Sequence, residues 1–144
     1  MFALVVGVSD YAGNQLDLRF AAADAEAVSK ALRAGALCLF GADRVTVRTL
    51  STERSSAADM PTADAVRQAL KQMSKQARAS DVLLVYLAGH GVVASGEARE
   101  FYGLARGARS SRYSFWIPVT PVAPPSWPAA RVVCPAIRPG RCSA

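Results

Sequence analysis

The chain has 144 residues, about half of them hydrophobic, and a formal net charge of +6. That length suits one domain with a packed core, and the apolar content excludes wholesale disorder. The charge excludes more than it suggests. Up to Glu100 there are 11 basic and 11 acidic residues, and the whole surplus is six later arginines: Arg106, Arg109, Arg112, Arg131, Arg138 and Arg141. The body is therefore no basic surface for nucleic acid; only the tail could be. Three cysteines, Cys38, Cys134 and Cys142, and a single histidine lack metal-ligand spacing. No metal or other cofactor is expected, and a reducing compartment is. The apolar start, Met1 to Gly7, has no basic leader, and no stretch approaches the ~18 apolar residues of a membrane span. A cytoplasmic protein that does not engage membrane is the expectation.

Phe2 to Val8 is a continuous apolar run rich in β-branched residues, the pattern of a strand buried on both faces of a parallel sheet. A loop, Ser9 to Asp17, contains Gly13-Asn14. Arg19 to Ala34 reads as a helix with Phe20, Ala23, Ala27, Val28, Ala31 and Leu32 near one face and Gly35 as its stop. Val45 to Leu50 alternates as a second strand. After a polar loop over Ser51–Asp59, Pro61-Thr62 opens a second helix, with Thr62 as N-cap, running to about Arg78. Its Arg67, Lys71, Lys75 and Arg78 share one face, read as solvated. Asp81 to Ala88 is a third buried strand, and Glu100 to Leu104 begins a fourth. The alternation predicts an α/β fold with a doubly wound, mainly parallel sheet.

The character then changes. Seven of the eight prolines lie between Pro118 and Pro139, among arginines, serines, Trp116 and Trp127. Proline at that density removes donors and forbids helix or central strand. The chain divides at 104: residues 1–104 form the domain and residues 105–144 an irregular tail. The abrupt loss of acidic residues there is also what a shifted reading frame in GC-rich DNA would produce.

His90 is the sole histidine, delivered to the end of the third strand and bracketed by Gly89 and Gly91. Imidazole titrates near neutrality, which suits it to acid–base work. The plain alternative is a turn histidine satisfied by backbone. In open α/β sheets functional groups collect where strands end at their carboxyl side. Three loops leave those ends here: Ser9–Asp17, Ser51–Met60 and Ala88–Gly91. Asp24 opens the first helix near the same rim, where the helix dipole favours a carboxylate; that dipole role alone would also explain it.

Three blocks carry a resemblance: Phe2-Ala3-Leu4-Val5-Val6-Gly7-Val8-Ser9-Asp10-Tyr11; Leu18-Arg19 followed by Asp24-Ala25; and Asp81-Val82-Leu83-Leu84-Val85-Tyr86-Leu87-Ala88-Gly89-His90-Gly91. In this order they resemble the caspase/metacaspase family of cysteine endopeptidases, closest to its bacterial metacaspase-like members, over residues 1–104. The resemblance implies a three-layer α/β caspase-like fold, here truncated to about three or four strands. It implies His90 as general base of a Cys–His dyad, the Gly91 N–H as an oxyanion donor, and Asp24 as the acid that selects Arg or Lys before the scissile bond. A buried carboxylate facing a guanidinium would account for that choice. Where metacaspases place a cysteine three residues before this acid, Ala21 stands here.

The nucleophile departs from the family pattern, an Asp-x-Cys at the end of an apolar strand about 50 residues after the histidine. Cys142 follows His90 by 52 residues, but Gly140 stands where the Asp belongs and no strand precedes it. Cys134 comes too early and precedes Pro135. Cys38, between Leu37 and Leu39, reads as a small buried hydrophobe. The expected partners are a peptide or protein substrate and, through a sheet edge left open by the missing strands, another protein chain; the alternative to an endopeptidase is an inactive caspase-like interaction module. An open edge also implies low stability or dependence on a partner.

Overall fold

The computed structural model describes residues 1–12, 15–93, 101–107 and 116–118. Strand β1 (Phe2–Gly7) is the centre of a three-stranded parallel sheet, flanked by β2 (Thr46–Ser51) and β3 (Leu83–Ala88) in the order β2-β1-β3. The register runs from Phe2, opposite Thr46 and Leu83, to Gly7, opposite Ser51 and Ala88. Helix α1 (Ala21–Phe40) joins β1 to β2, and α2 (Ala63–Gln76) joins β2 to β3.

The continuous apolar run of β1 is explained by its place. Side chains alternate across a strand, so Leu4, Val6 and Val8 pack with Val66, Ala69 and Met73 of α2, while Ala3 and Val5 pack with Ala25 and Val28 of α1. Two apolar layers, one on each face, make the fold three-layered, as expected. Thr62 caps α2 by accepting the Ala65 N–H, also as expected. Arg67, Lys71, Lys75 and Arg78 are all exposed.

Helix α1 departs from its sequence reading. It continues through Gly35 and stops at Gly41, which has φ of 80°. Gly35 is exposed and its missing side chain meets no neighbour; one glycine weakens a helix by about 1 kcal/mol without ending it. The buried residues are Ala22, Ala25, Ser29 and Ala36, whereas Ala23, Ala27, Ala31 and Phe20 are exposed. A helix so rich in alanine offers no contrast between its faces, so its buried stripe is decided by fit to the sheet rather than by hydrophobicity. Cys38 is exposed, not buried. At 1.5 Å per residue, α1 is about 30 Å long, against about 20 Å for a six-residue strand. Its last turns overhang the sheet, leaving Leu37 and Leu39 exposed as well.

The Phe101–Leu104 strand forms, but not as a fourth parallel strand. It is β5 of a small antiparallel sheet, between β4 (Gly91–Val93) and β6 (Trp116–Pro118). A tail expected to be irregular thus contributes one strand, with Pro118 on an edge where proline is tolerated. Cys134, Cys142, Trp127 and the remaining tail prolines lie outside the described residues, as does Gly13-Asn14. Val82 and Val85 are exposed, and among the described residues no strand pairs with the outer edge of β3.

Candidate active site

The chain leaves β1 for α1 and β2 on one side, then returns past β1 to β3 on the other. The carboxyl ends of β1 and β3 are therefore the topological switch point, where open α/β sheets hold their ligands. Gly7 and Ala88 are paired at that end, and His90 stands two residues beyond.

The loop after β1 is built to meet it. Ser9 closes the loop by accepting the Leu18 N–H at 2.8 Å. Its Oγ accepts the Ala22 N–H, the capping contact that Phe20 at the N-cap position cannot supply. The Ser9 N–H donates to Thr52 Oγ1 at 3.0 Å, tying this loop to the one after β2. Inside the loop, the Tyr11 N–H donates to Asp17 Oδ1 at 2.8 Å. The carbonyl of Leu16 is thereby held 2.9 Å from Nε2 of His90.

A carbonyl oxygen only accepts, so Nε2 carries the proton in this contact. In the neutral ring Nδ1 is then the basic nitrogen, and among the described residues no group bonds it. The ring is half-buried. The reading of His90 as a backbone-satisfied turn histidine is thus met at one nitrogen, while the other has no partner among the described residues. The His90 N–H donates to the Tyr11 hydroxyl at 2.9 Å. Burial pushes the Tyr11 phenol above its usual pKa, an effect the His90 N–H partly offsets.

Gly89 has no room for a side chain: a Cβ there would stand 2.8 Å from the Tyr11 hydroxyl. Gly91 is exposed, opens β4 and faces Gly103 of β5. Asp24 lies in the first turn of α1 and is exposed, and among the described residues no hydrogen bond or ion pair joins it to His90. A buried acid was expected there. As an exposed one, it could select a guanidinium strongly only once a bound substrate displaced water around it.

Sequence reasoning missed Tyr11, Ser9 and the Leu16 carbonyl as parts of this site. A backbone acceptor leaves no mark in the sequence, and the Ser9 hydroxyl caps a helix 13 residues away, outside the local capping pattern. Among the described residues no group of three or more His, Cys, Asp or Glu side chains could hold a metal ion, and no helix is long and apolar enough to cross a membrane.

The caspase-domain family model matches residues 1–113. The chain belongs to the caspase-domain family. No curated protein sequence matches it. Membership gives this caspase domain a cysteine-peptidase-like function and implies protein substrates. The match runs past Leu104 and includes Ala105, which is fully buried in the layer of core beneath α2.

Proposed function

We propose that this caspase domain is the histidine-bearing part of a cysteine endopeptidase centre, cleaving after a basic residue, with residues 1–104 as its catalytic core. The observation that supports this most is the state of His90, half-buried at the switch point with Nε2 on the Leu16 carbonyl and Nδ1 bonded by no group among the described residues. In this reading Nδ1 takes the thiol proton of a cysteine, and the thiolate sulfur bonds to the scissile carbonyl carbon. The carbonyl oxygen becomes an oxyanion, for which the Gly91 N–H is the donor. The imidazolium then passes its proton to the leaving amine as the peptide C–N bond breaks. Water, deprotonated by the same Nδ1, releases the acyl group. Asp24 pairs with the basic side chain before the cleaved bond.

Cys142 is the candidate nucleophile by spacing and lies outside the described residues. Its context departs from the family pattern, and the expectation is that the chain alone turns over slowly or not at all. The test is incubation of the full chain with arginyl, lysyl and aspartyl fluorogenic peptides. Turnover of the first two, reduced roughly 10²–10⁴-fold in both His90→Ala and Cys142→Ala, supports the dyad. Turnover indifferent to His90→Ala defeats it.

The exposed valines at the outer edge of β3, which no strand among the described residues covers, favour a second reading, a caspase-like module that binds another chain without cleaving it. A partner bound at that edge, together with no turnover of any peptide, would select it.

A further inference from the structure

Tyr11 takes no step in that chemistry, yet it is buried and fastened from several sides. It is 2% exposed and belongs to the same buried cluster as Val8 and Ala105. Its N–H is bound by Asp17. Its two chain neighbours are both fastened to Arg106: the guanidinium donates to Asp10 Oδ2 at 3.2 Å, and the Ala12 N–H donates to the Arg106 carbonyl at 3.1 Å. The Arg106 N–H in turn donates to the Pro61 carbonyl at 3.2 Å. The segment Ala105-Arg106 thus straps the loop after β1 to the start of α2, with Tyr11 beneath the strap.

The far end of Tyr11 meets the histidine twice. Its hydroxyl accepts the His90 N–H, and its ring stands 5.4 Å from the imidazole at an interplanar angle of 50°. The N–H of a residue just past a strand end has no ladder partner, so an orphan donor would otherwise remain in a half-buried place. The phenol, kept protonated by burial, is a neutral acceptor there.

We propose that Tyr11 is the positioning residue for His90: its hydroxyl fixes the His90 main chain so that Nε2 stays on the Leu16 carbonyl and Nδ1 stays the basic atom. The role rests on the dyad reading above, but its geometry can be read without turnover. Because His90 is the only histidine in the chain, its ring nitrogens give unambiguous ¹⁵N signals. In the full chain with the ring neutral, the Nε2–H tautomer should dominate. Tyr11→Phe keeps the ring and deletes the acceptor. It should mix the two tautomers and speed solvent exchange of the His90 N–H roughly tenfold. An unchanged tautomer ratio and exchange rate in a folded Tyr11→Phe chain would overturn the proposal.

Gly89→Ala gives a readout that general loosening would not mimic. Its methyl would stand 2.8 Å from the hydroxyl oxygen that Phe lacks. Gly89→Ala should therefore lower the melting temperature in the wild-type background; with φ of 158° at Gly89, part of that loss is backbone strain common to both backgrounds, and Tyr11→Phe should relieve only the steric part without restoring the tautomer. Equal losses in both backgrounds count against the proposed contact. Should Tyr11→Phe fail to fold by circular dichroism, Arg106→Ala decides: a smaller tautomer change of the same sign supports the role, and none overturns it. Turnover lost in His90→Ala with an unaltered spectrum in Tyr11→Phe removes Tyr11 and leaves the dyad. An altered spectrum with no turnover from any peptide supports Tyr11 and counts only against the peptidase.

Discussion

Gly7 and Ala25 are packed so closely that a Cβ on Gly7 would stand 2.5 Å from the Ala25 methyl carbon and 2.9 Å from the Ala21 carbonyl. The first turns of α1 rest directly on the end of β1, at the rim that carries His90. Gly7→Ala must push the helix outward, because two of its three nearest obstacles are main-chain atoms. Overpacking of this kind costs about 1–3 kcal/mol. A urea titration should show a lower midpoint with little change of slope. Because α1 is capped by Ser9 from the same loop, the variant should also broaden the His90 signals.

How far the sequence led can be judged from the elements of this same rim. β1 was legible because a strand buried on both faces must be apolar at every position, and α2 because Thr62 and the alternation of Ala, Val and Met with charged residues mark its start and inner face. The exposed lysines and arginines of α2 were legible for the same reason. α1 was not, since alanine is compatible with either face and Gly35 imitates a stop. The histidine stood out by its setting, but what holds it did not. Tyr11 is 79 residues away in sequence, and Leu16 contributes only its carbonyl. Contacts through backbone atoms depend on tertiary structure alone.

One side-chain contact between α1 and β2 is polar, beside the apolar packing of Ala25 and Val47. Ser29 Oγ and Thr49 Oγ1 share a buried hydrogen bond of 2.6 Å, with both residues about 2% exposed. Removing one partner strands the other, so Ser29→Ala should destabilise the fold by about 1–3 kcal/mol. Replacing both, as in Ser29→Ala with Thr49→Val, removes the orphan and should recover most of the loss. A double-mutant cycle by chemical denaturation measures the coupling, and additive losses would show that the bond contributes little.

Three residues earlier on α1, Glu26 receives two hydrogen bonds from Arg54, from Nε at 2.7 Å and from Nη2 at 3.0 Å. Arg54 also pairs with Asp59 at 3.5 Å, and Asp59 with Arg48 at 3.0 Å. The hydrogen bonds from Arg54 hold the Glu26 carboxyl below its usual pKa, and its charge adds to the effect. A carboxyl whose folded pKa is lowered stabilises the fold above its unfolded value, about 4.3. That contribution fades as pH falls from there through the folded pKa. The partners are partly exposed, so the pair itself is worth about 0.2–1 kcal/mol. Glu26→Gln should cost that amount at pH 7, and the melting temperatures of the two proteins should converge as pH falls through the folded pKa. A constant difference across the range would assign the effect to packing instead.

At the outer edge of β3, Val82 is 49% and Val85 38% exposed, and among the described residues no strand covers the free N–H and C=O groups beside them. An uncharged edge of this kind recruits other strands. The purified chain should therefore associate more as its concentration rises. Val85→Lys places a charge on this edge without deleting any backbone hydrogen bond, and it should shift the population toward monomer in sedimentation equilibrium. The same substitution should leave the melting temperature of the dilute protein almost unchanged, because Val85 is only partly buried. Association that persists in Val85→Lys would place the contact on another face, with the overhanging Leu37 and Leu39 of α1 as the next surface to charge.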